Sequence, residues 1–394
     1  MNVKKISYLI FSISVATMLA ACGGKNMSDD EKISDVITDM EDTTQTIEPE
    51  GDVSNEPFGD YPSLKELYAD YFEIGVCINP AIIAADNYSN LTIREFSSVT
   101  CENDMKPEAV FKKEESIDRL SEGGDHLAVS FEKAEQEIKF AEDNGLKMRG
   151  HTLVWHEQTP DWIFYKDYDV NGELADRELM LARLDNYIHD VFEWVDSNHP
   201  GLFYAWDVVN EAMDDSGKMR ESLWYQTIGE DYVEQAFHYA RLYAPDGIQL
   251  FYNDYNSYKP GKQRAIIAML KPITEASDID GVGMQAHLNA GVVPTDFTAK
   301  AQKYVDELGV VIHVTEIDVP QPQGSDPEEA QGKYYRNLFY ALRQAKEAGT
   351  PIESVTVWGL ADNLSWKKEE KPLLFNDDLT GKSAFYYAVE AATR

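Results

Sequence analysis

Three cysteines in 394 residues cannot staple a fold, so a disulfide scaffold is excluded. Basic residues are scarce too: 35 Lys and Arg stand against 70 Asp and Glu, a formal net charge of −35. A chain this acidic repels phosphate backbones, which argues against a nucleic-acid partner. Long apolar runs are missing except for one of sixteen residues, Ile6 to Ala21. That run is short of the about 20 residues a spanning helix needs, so a polytopic membrane protein is excluded. There is no glycine-rich phosphate loop and no HExxH motif. The rest is globular in composition, 43% hydrophobic and 27% charged. The length allows two or three domains of roughly 150 residues, or one large α/β barrel.

The N-terminal end is unlike the rest. Lys4 and Lys5 precede the apolar run, as in a secretory signal over residues 1–21. Leu19-Ala20-Ala21-Cys22 resembles the lipobox of bacterial lipoproteins, which implies cleavage before Cys22 and lipidation of its thiol. The alternative is an ordinary secretory signal with an unmodified cysteine. Residues 22–57 hold eleven Asp or Glu against Lys25 and Lys32 and no aromatic residue. Such a segment buries too little apolar surface to offset its ordering entropy and reads as a disordered acidic linker. About 35 flexible residues span roughly 30–36 Å. The expectation is a protein lipid-anchored to a bacterial membrane, facing the periplasm or the cell exterior. Residues 58–394 form the folded domain.

Within that domain, short apolar, β-branched runs predict eight strands. They cover Glu73–Asn79, Ser97–Asn103, Lys147–Trp155, Phe203–Glu211, Gly247–Asp254, Gly281–Leu288, Val310–Val319 and Ser354–Leu360. Helical periodicity fills the gaps. Ser130–Asn144 puts Phe131, Ala134, Ile138 and Ala141 on one face ahead of Gly145, and Arg183–Val195 and Gln331–Ala348 behave alike. Strands alternating with helices predict a single α/β domain, a (β/α)8 TIM barrel, with an open doubly wound sheet as the alternative.

The C-terminal ends of these runs are rich in chemistry. They carry Glu102 and Asn103; His151, Trp155 and His156; Asn210 and Glu211; Asn253 and Asp254; Gln285 and His287; Glu316 and Asp318; and Trp358. Active sites of this barrel lie at that face. Glu211 and Glu316, three strands apart, can face each other across the barrel mouth. Two carboxylates flanking a gap, with indole rings beside them, suit glycoside hydrolysis: one protonates the leaving oxygen while the other meets the oxocarbenium-like carbon. His151, His156, His287 and Glu316 are also a zinc-type set. His151 and His156 are five apart, however, and the two-residue period of a strand turns them to opposite sides. No metal is expected. Cys77 and Cys101 lie inside strands and read as small core hydrophobes.

Several segments then match one family. Glu102-Asn103-Asp104-Met105-Lys106-Pro107-Glu108, Gly150-His151-Thr152-Leu153-Val154-Trp155-His156 and Trp206-Asp207-Val208-Val209-Asn210-Glu211 resemble glycoside hydrolase family 10, the endo-β-1,4-xylanases. So do Gly283-Met284-Gln285-Ala286-His287, Thr315-Glu316-Ile317-Asp318, Trp358-Gly359 and Ser365-Trp366. The likeness runs from about Tyr61 to Ala392. It implies a retaining double displacement on xylan with Glu211 as acid/base and Glu316 as nucleophile. It further implies that Glu102, Asn103, Lys106, His151, Trp155 and Asn210 line the glycone subsites. By the same likeness Gln285 and His287 adjoin the nucleophile, and Trp358 and Trp366 cap the sugar at the cleavage point. No cofactor is implied, and a monomer is expected. Pro107 stands where many members have Trp.

Simple physics agrees with those roles. Asn210 can offer an amide to the sugar 2-hydroxyl. Asp318, two residues after Glu316, projects to the same side of its strand, and His287 can bridge the pair. Lys106 can present a cation to sugar hydroxyls. A non-catalytic glycan-binding protein on this scaffold would have no use for both Glu211 and Glu316. Within the enzyme reading, a mixed-linkage glucanase or cellulase is the nearest rival, because the room around the exocyclic C6 position separates glucose from xylose.

Overall fold

The computed structural model describes residues 61–393. The expected signal, Cys22 and acidic linker lie outside them. Eight strands form a closed parallel barrel: β1 Glu73–Ile78, β2 Ser98–Cys101, β3 Lys147–Trp155, β4 Phe203–Asn210, β5 Gln249–Asp254, β6 Gly281–Met284, β7 Val311–Ile317 and β8 Ile352–Val357. Closure is made by β1 on β8, from Glu73↔Ser354 to Val76↔Val357, which rules out the open sheet. Strands covered on both faces need apolar residues at nearly every position, and β1, β2, β4 and β6 are buried almost throughout.

A principal helix follows each strand in turn: Asp86–Glu95, Glu135–Asp143, Arg177–Asn198, Tyr232–Tyr243, Pro260–Ala276, Pro294–Leu308, Pro327–Glu347 and Ser383–Thr393. Three open on proline, whose fixed φ suits the first helical position. Asp176 caps the Arg177–Asn198 helix by accepting from the Leu179 N–H at 3.0 Å. Glu135–Asp143 is shorter than its sequence pattern, since residues 132–134 form a turn before it. Phe131, Ala134, Ile138 and Ala141 are nonetheless all buried.

β6 ends four residues earlier than the apolar run suggests. Ala286 has φ +65°, which breaks the extended backbone, and His287 then makes a lone parallel bridge to Asp318. Register shifts interrupt three strand pairs. Towards the C-terminal ends they fall between His151 and Val154 on β3, between Asp207 and Val209 on β4, and between Val314 and Ile317 where β7 meets β8, with two more at Met148/Arg149 and Ile312/His313. Such irregularities bend a strand and re-aim its side chains. Here they lie on strands that carry His151, Asn210 and Glu316.

Gly150 of β3 fixes the fit of β3 to β4. A Cβ there would lie 2.1 Å from the Trp206 ring. Trp206 is itself wedged between Phe192 of the outer helix and Phe203. Gly150→Ala is therefore expected to lower stability by about 1–3 kcal/mol through overpacking, and Gly150→Ala with Trp206→Leu to recover part of that loss. Urea unfolding of both single variants, Gly150→Ala and Trp206→Leu, and of the double variant checks this; strictly additive costs would refute the contact as the cause.

Candidate active site

Strand alternation turns Glu316 and Asp318 the same way, and the break after β6 swings His287 between them. His287 Nδ1 is 2.7 Å from Asp318 Oδ2, and its Nε2 is 3.2 Å from Glu316 Oε2. Burial works to remove the proton from His287, but the two carboxylates prevail and raise its pKa from 6.5 to about 9. The reciprocal effect acts on Glu316. Burial pushes its pKa up, and the hydrogen bond and charge of His287, with help from Asn253, bring it below the usual value. Glu316 is only 5% exposed. Asp318 is lowered too: burial opposes, while His287 and Lys367 favour its charge.

The β4 side is built differently. Glu211 has φ +57°, a left-handed conformation that costs a non-glycine residue energy. Its backbone is held on both sides: the N–H donates to the Asn253 carbonyl at 2.9 Å, and its carbonyl accepts from Arg220 Nε at 2.9 Å. Arg220 also donates to the Tyr255 hydroxyl at 2.6 Å. The half-buried Glu211 carboxyl accepts from Gln285 Nε2 at 2.9 Å.

Amides link the two carboxyl groups. Asn253 Nδ2 donates to Glu316 Oε1 at 2.7 Å and to Asn210 Oδ1 at 3.0 Å, and Gln285 Nε2 reaches the same Asn210 oxygen at 3.2 Å. With its amide turned over, Asn210 instead accepts from Trp155 Nε1 at 3.3 Å and donates to the Asn253 carbonyl at 3.1 Å. Thr315 Oγ1 fixes Asn253 by donating to its Oδ1 at 2.7 Å. Gly283 makes room, since a Cβ there would lie 2.4 Å from that oxygen. The sequence marks Asn253 as a polar strand end but gives it no role. Its place between the strands bearing Glu211 and Glu316 was the available signal.

Glu102, Asn103 and Lys106 line the loop after β2. Glu102 accepts from Asn79 Nδ2 at 3.0 Å. Lys106 is buried rather than solvated: its Nζ donates to Gln158 Oε1 at 2.8 Å and Asn103 Oδ1 at 3.2 Å, and lies 4.8 Å from the Trp155 ring centre. Burial lowers its pKa, against the pull of Glu316. Pro107 opens the short helix Pro107–Val110, with Lys106 as its N-cap.

His151 points into the barrel, its Nδ1 2.9 Å from Asp207 Oδ2 and its ring edge-on to Trp358 at 5.5 Å. Asp207 is paired with Arg149, which in turn donates to His313 Nδ1 at 2.6 Å. This interior ion cluster was not foreseen. Trp358 is nearly buried, whereas Trp366 is 58% exposed. Trp366 Nε1 donates to Asp318 Oδ2 at 2.9 Å, and its ring meets His287 at 5.2 Å. His156 lies beyond the strand in a hollow of about 430 Å³ with Trp155, Arg220 and Trp224. Burial and the Arg220 charge lower its pKa to about 4.

The zinc-type set does not converge. Among the described residues, three such ligands come within 4.8 Å of one another only at His189, Asp190 and Glu193, on the helix Arg177–Asn198. Cys77 and Cys101 are buried free thiols whose pKa values burial pushes well up.

The model of glycosyl hydrolase family 10 matches residues 63–391. The chain is 40% identical over 341 residues to endo-1,4-beta-xylanase B of Butyrivibrio fibrisolvens, covering 84% of this chain and 53% of that protein. It is 37% identical over 355 residues to endo-1,4-beta-xylanase A of Thermotoga maritima, covering 87% of this chain and 32% of the relative. The chain thus spans about half of the first relative and about a third of the second. The solved structure of the CBM22-1 and GH10 modules of a Clostridium thermocellum endo-1,4-beta-D-xylanase, complexed with xylohexaose, superposes with a TM-score of 0.78 at 33% identity. It covers 84% of this chain and 67% of that one.

The raised pKa of His287 predicts a pH dependence. Its charged form contributes stability that is fully present below about pH 6.5 and is lost as pH rises through about 9. At about 1.4 kcal/mol per unit, the contribution is about 3 kcal/mol. The stability gap between the native protein and His287→Gln should be widest near pH 6 and shrink by about pH 10. Urea unfolding across that range checks it, and a gap independent of pH would contradict the bridging imidazolium.

Proposed function

The chain belongs to glycosyl hydrolase family 10, and from that premise we propose that it is an endo-1,4-β-xylanase. It hydrolyses internal β-1,4 linkages of xylan with retention at the anomeric carbon. The observation that carries this reading is the asymmetric carboxyl pair. Glu316 is buried and kept anionic by His287, while Glu211 is half-buried beside the neutral amide of Gln285.

In the first step a Glu316 oxygen attacks the anomeric carbon and Glu211 gives its proton to the departing glycosidic oxygen. The product is a glycosyl ester on Glu316. In the second step Glu211 takes a proton from water, the water oxygen attacks the anomeric carbon, and Glu316 leaves as carboxylate. Asn253 and His287 offer donors to the two Glu316 oxygens and hold the nucleophile in place. Asn210 addresses the 2-hydroxyl of the sugar being cleaved. Glu102, Asn103, Lys106, His151 and Trp155 bind the sugars on the non-reducing side. Gln285 orients Glu211, and Trp358 and Trp366 close over the reacting ring. Xylan is favoured as substrate by the relatives named endo-1,4-beta-xylanases and by the xylohexaose held in the similar solved structure.

The reading extends to residues 1–57. Residues 1–21 are a signal, Cys22 carries lipid, and the acidic linker holds a monomeric barrel away from a bacterial membrane. Cys22→Ser is expected to move the protein from the membrane to the soluble fraction with unchanged specific activity, and removal of residues 1–57 to leave an active barrel. Fractionation and activity assays check both.

The function is tested by product analysis on xylan and on carboxymethyl-cellulose; xylo-oligosaccharides are expected, and release from the cellulose alone would sink the proposal. Roles are separated by substitution. Glu316→Ala should lose activity on every substrate. Glu211→Ala should lose about 10²–10⁴-fold or more on xylan, yet still glycosylate from an aryl glycoside with an acidic phenol. Azide needs no deprotonation, so it should restore turnover of the aryl substrate by Glu211→Ala and give a β-glycosyl azide. Rescue of Glu316→Ala to that product instead would reverse the assignment.

A further inference from the structure

The exposed Trp366 cap and the buried Glu316 nucleophile share one carboxylate. Asp318 is fully buried and accepts three hydrogen bonds: His287 Nδ1 at 2.7 Å and Trp366 Nε1 at 2.9 Å on Oδ2, and Lys367 Nζ at 2.9 Å on Oδ1. Lys367 Nζ also lies 4.4 Å from the centre of the Trp366 ring, so it holds the indole by its face while Asp318 holds it by its N–H. The Lys367 side chain is only 20% exposed, and its backbone N–H is tied to Ser365 Oγ at 3.0 Å. The loop is anchored below, where Asp362 accepts from Lys382 Nζ at 2.7 Å and from the Leu373 N–H at 2.8 Å. The loop tip therefore ends in a cation and an indole, both seated on the carboxylate that also holds His287.

We propose that Lys367 is a positioning residue that latches the Trp366 cap onto Asp318 and limits how strongly Asp318 draws the proton of His287. This rests on the reading of Glu316 as nucleophile and Trp366 as the cap of the reacting sugar. Asp318 has one negative charge, and two cationic heads lie against it. Lys367 takes up part of its field on Oδ1, and what remains acts on His287 through Oδ2. The charged groups facing His287 among the described residues are Glu316 of β7 and Asp318 just after it, with Lys367 behind Asp318.

The test uses the full chain with Lys367→Met, which keeps the apolar stem and removes the charge, and Lys367→Arg, which keeps the charge. Two readings are taken: the titration of His287 by NMR of histidine-labelled protein, and kcat and KM on xylo-oligosaccharides. In Lys367→Met the His287 midpoint should rise by about half a unit to one unit, as expected for loss of a nearby cation. KM should rise several-fold while kcat changes less. Lys367→Arg should restore both. An unmoved midpoint, or a midpoint that Arg fails to restore, overturns the proposal, and so does a wild-type KM in Lys367→Met. The titration needs no substrate. A chain that never cleaves xylan would therefore refute the function and leave the electrostatic link to Asp318 standing or falling by its own measurement.

Discussion

His287 is nearly enclosed by protein, and enclosure alone would take its proton away. It keeps the proton because carboxylates stand on both sides, 2.7 Å and 3.2 Å from its two ring nitrogens. The same three groups explain why Glu316 can be 5% exposed and still anionic. An unpaired carboxylate at that depth would take up a proton. The backbone around β6 is shaped to serve this array. The strand stops at Met284, Ala286 turns left-handed, and His287 returns to bridge Asp318. Gly283 leaves the space in which Asn253 reaches the other oxygen of Glu316.

A second aspartate–histidine pair sits deeper in the barrel, and its surroundings differ. Asp207 faces His151, but Arg149 is paired with the same carboxylate, and His313 accepts from Arg149. Burial raises the Asp207 pKa, and the Arg149 and His151 interactions more than reverse this. The guanidinium therefore meets a charge that the barrel interior could not otherwise hold. Removing one partner of such a buried pair typically costs about 3–5 kcal/mol. Asp318 has a lysine in the corresponding position of balance, but that lysine sits on a surface loop. One aspartate is paired within the core, and the other with a lysine and an indole of the loop after β8.

The strands were legible because sheets buried on both faces demand uninterrupted apolar, β-branched runs, and β3 matches its run residue for residue. Glu211, Glu316, His287 and Asp318 were legible because strand ends of a barrel converge, and because alternation alone aligns Glu316 with Asp318. What escaped depends on register. The shifts after His151, Asp207 and Val314 decide which side chains enter the mouth, and no pattern of single residues records them. Asn253 therefore looked like one more polar end, and Arg149 like an ordinary strand residue. The early end of β6 escaped for a related reason: the left-handed turn falls on an alanine, where sequence gives no glycine to announce it.

On the proposed roles of nucleophile for Glu316 and acid/base for Glu211, the contrast between the two glutamates follows from what each must exchange with water. A nucleophile of this type never needs a solvent proton. Its charge is best kept in a dry, pre-formed cradle, and Glu316 has one built from Asn253 and His287. An acid/base must lose a proton in one step and regain one in the next, so it needs a path to water. Glu211 accordingly stands at the strand's end, half-buried, on a left-handed residue whose N–H and carbonyl are pinned by Asn253 and Arg220. Those two bonds offset the backbone strain and leave the carboxyl free to face the mouth. The acceptor comes from the neighbouring strand β5 and the donor from the loop after β4, so the strained turn is held by its immediate surroundings. The Glu316 cradle reaches further, from Asn253 on β5 and His287 just after β6 to Glu316 on β7, and so depends on three consecutive strands being in register.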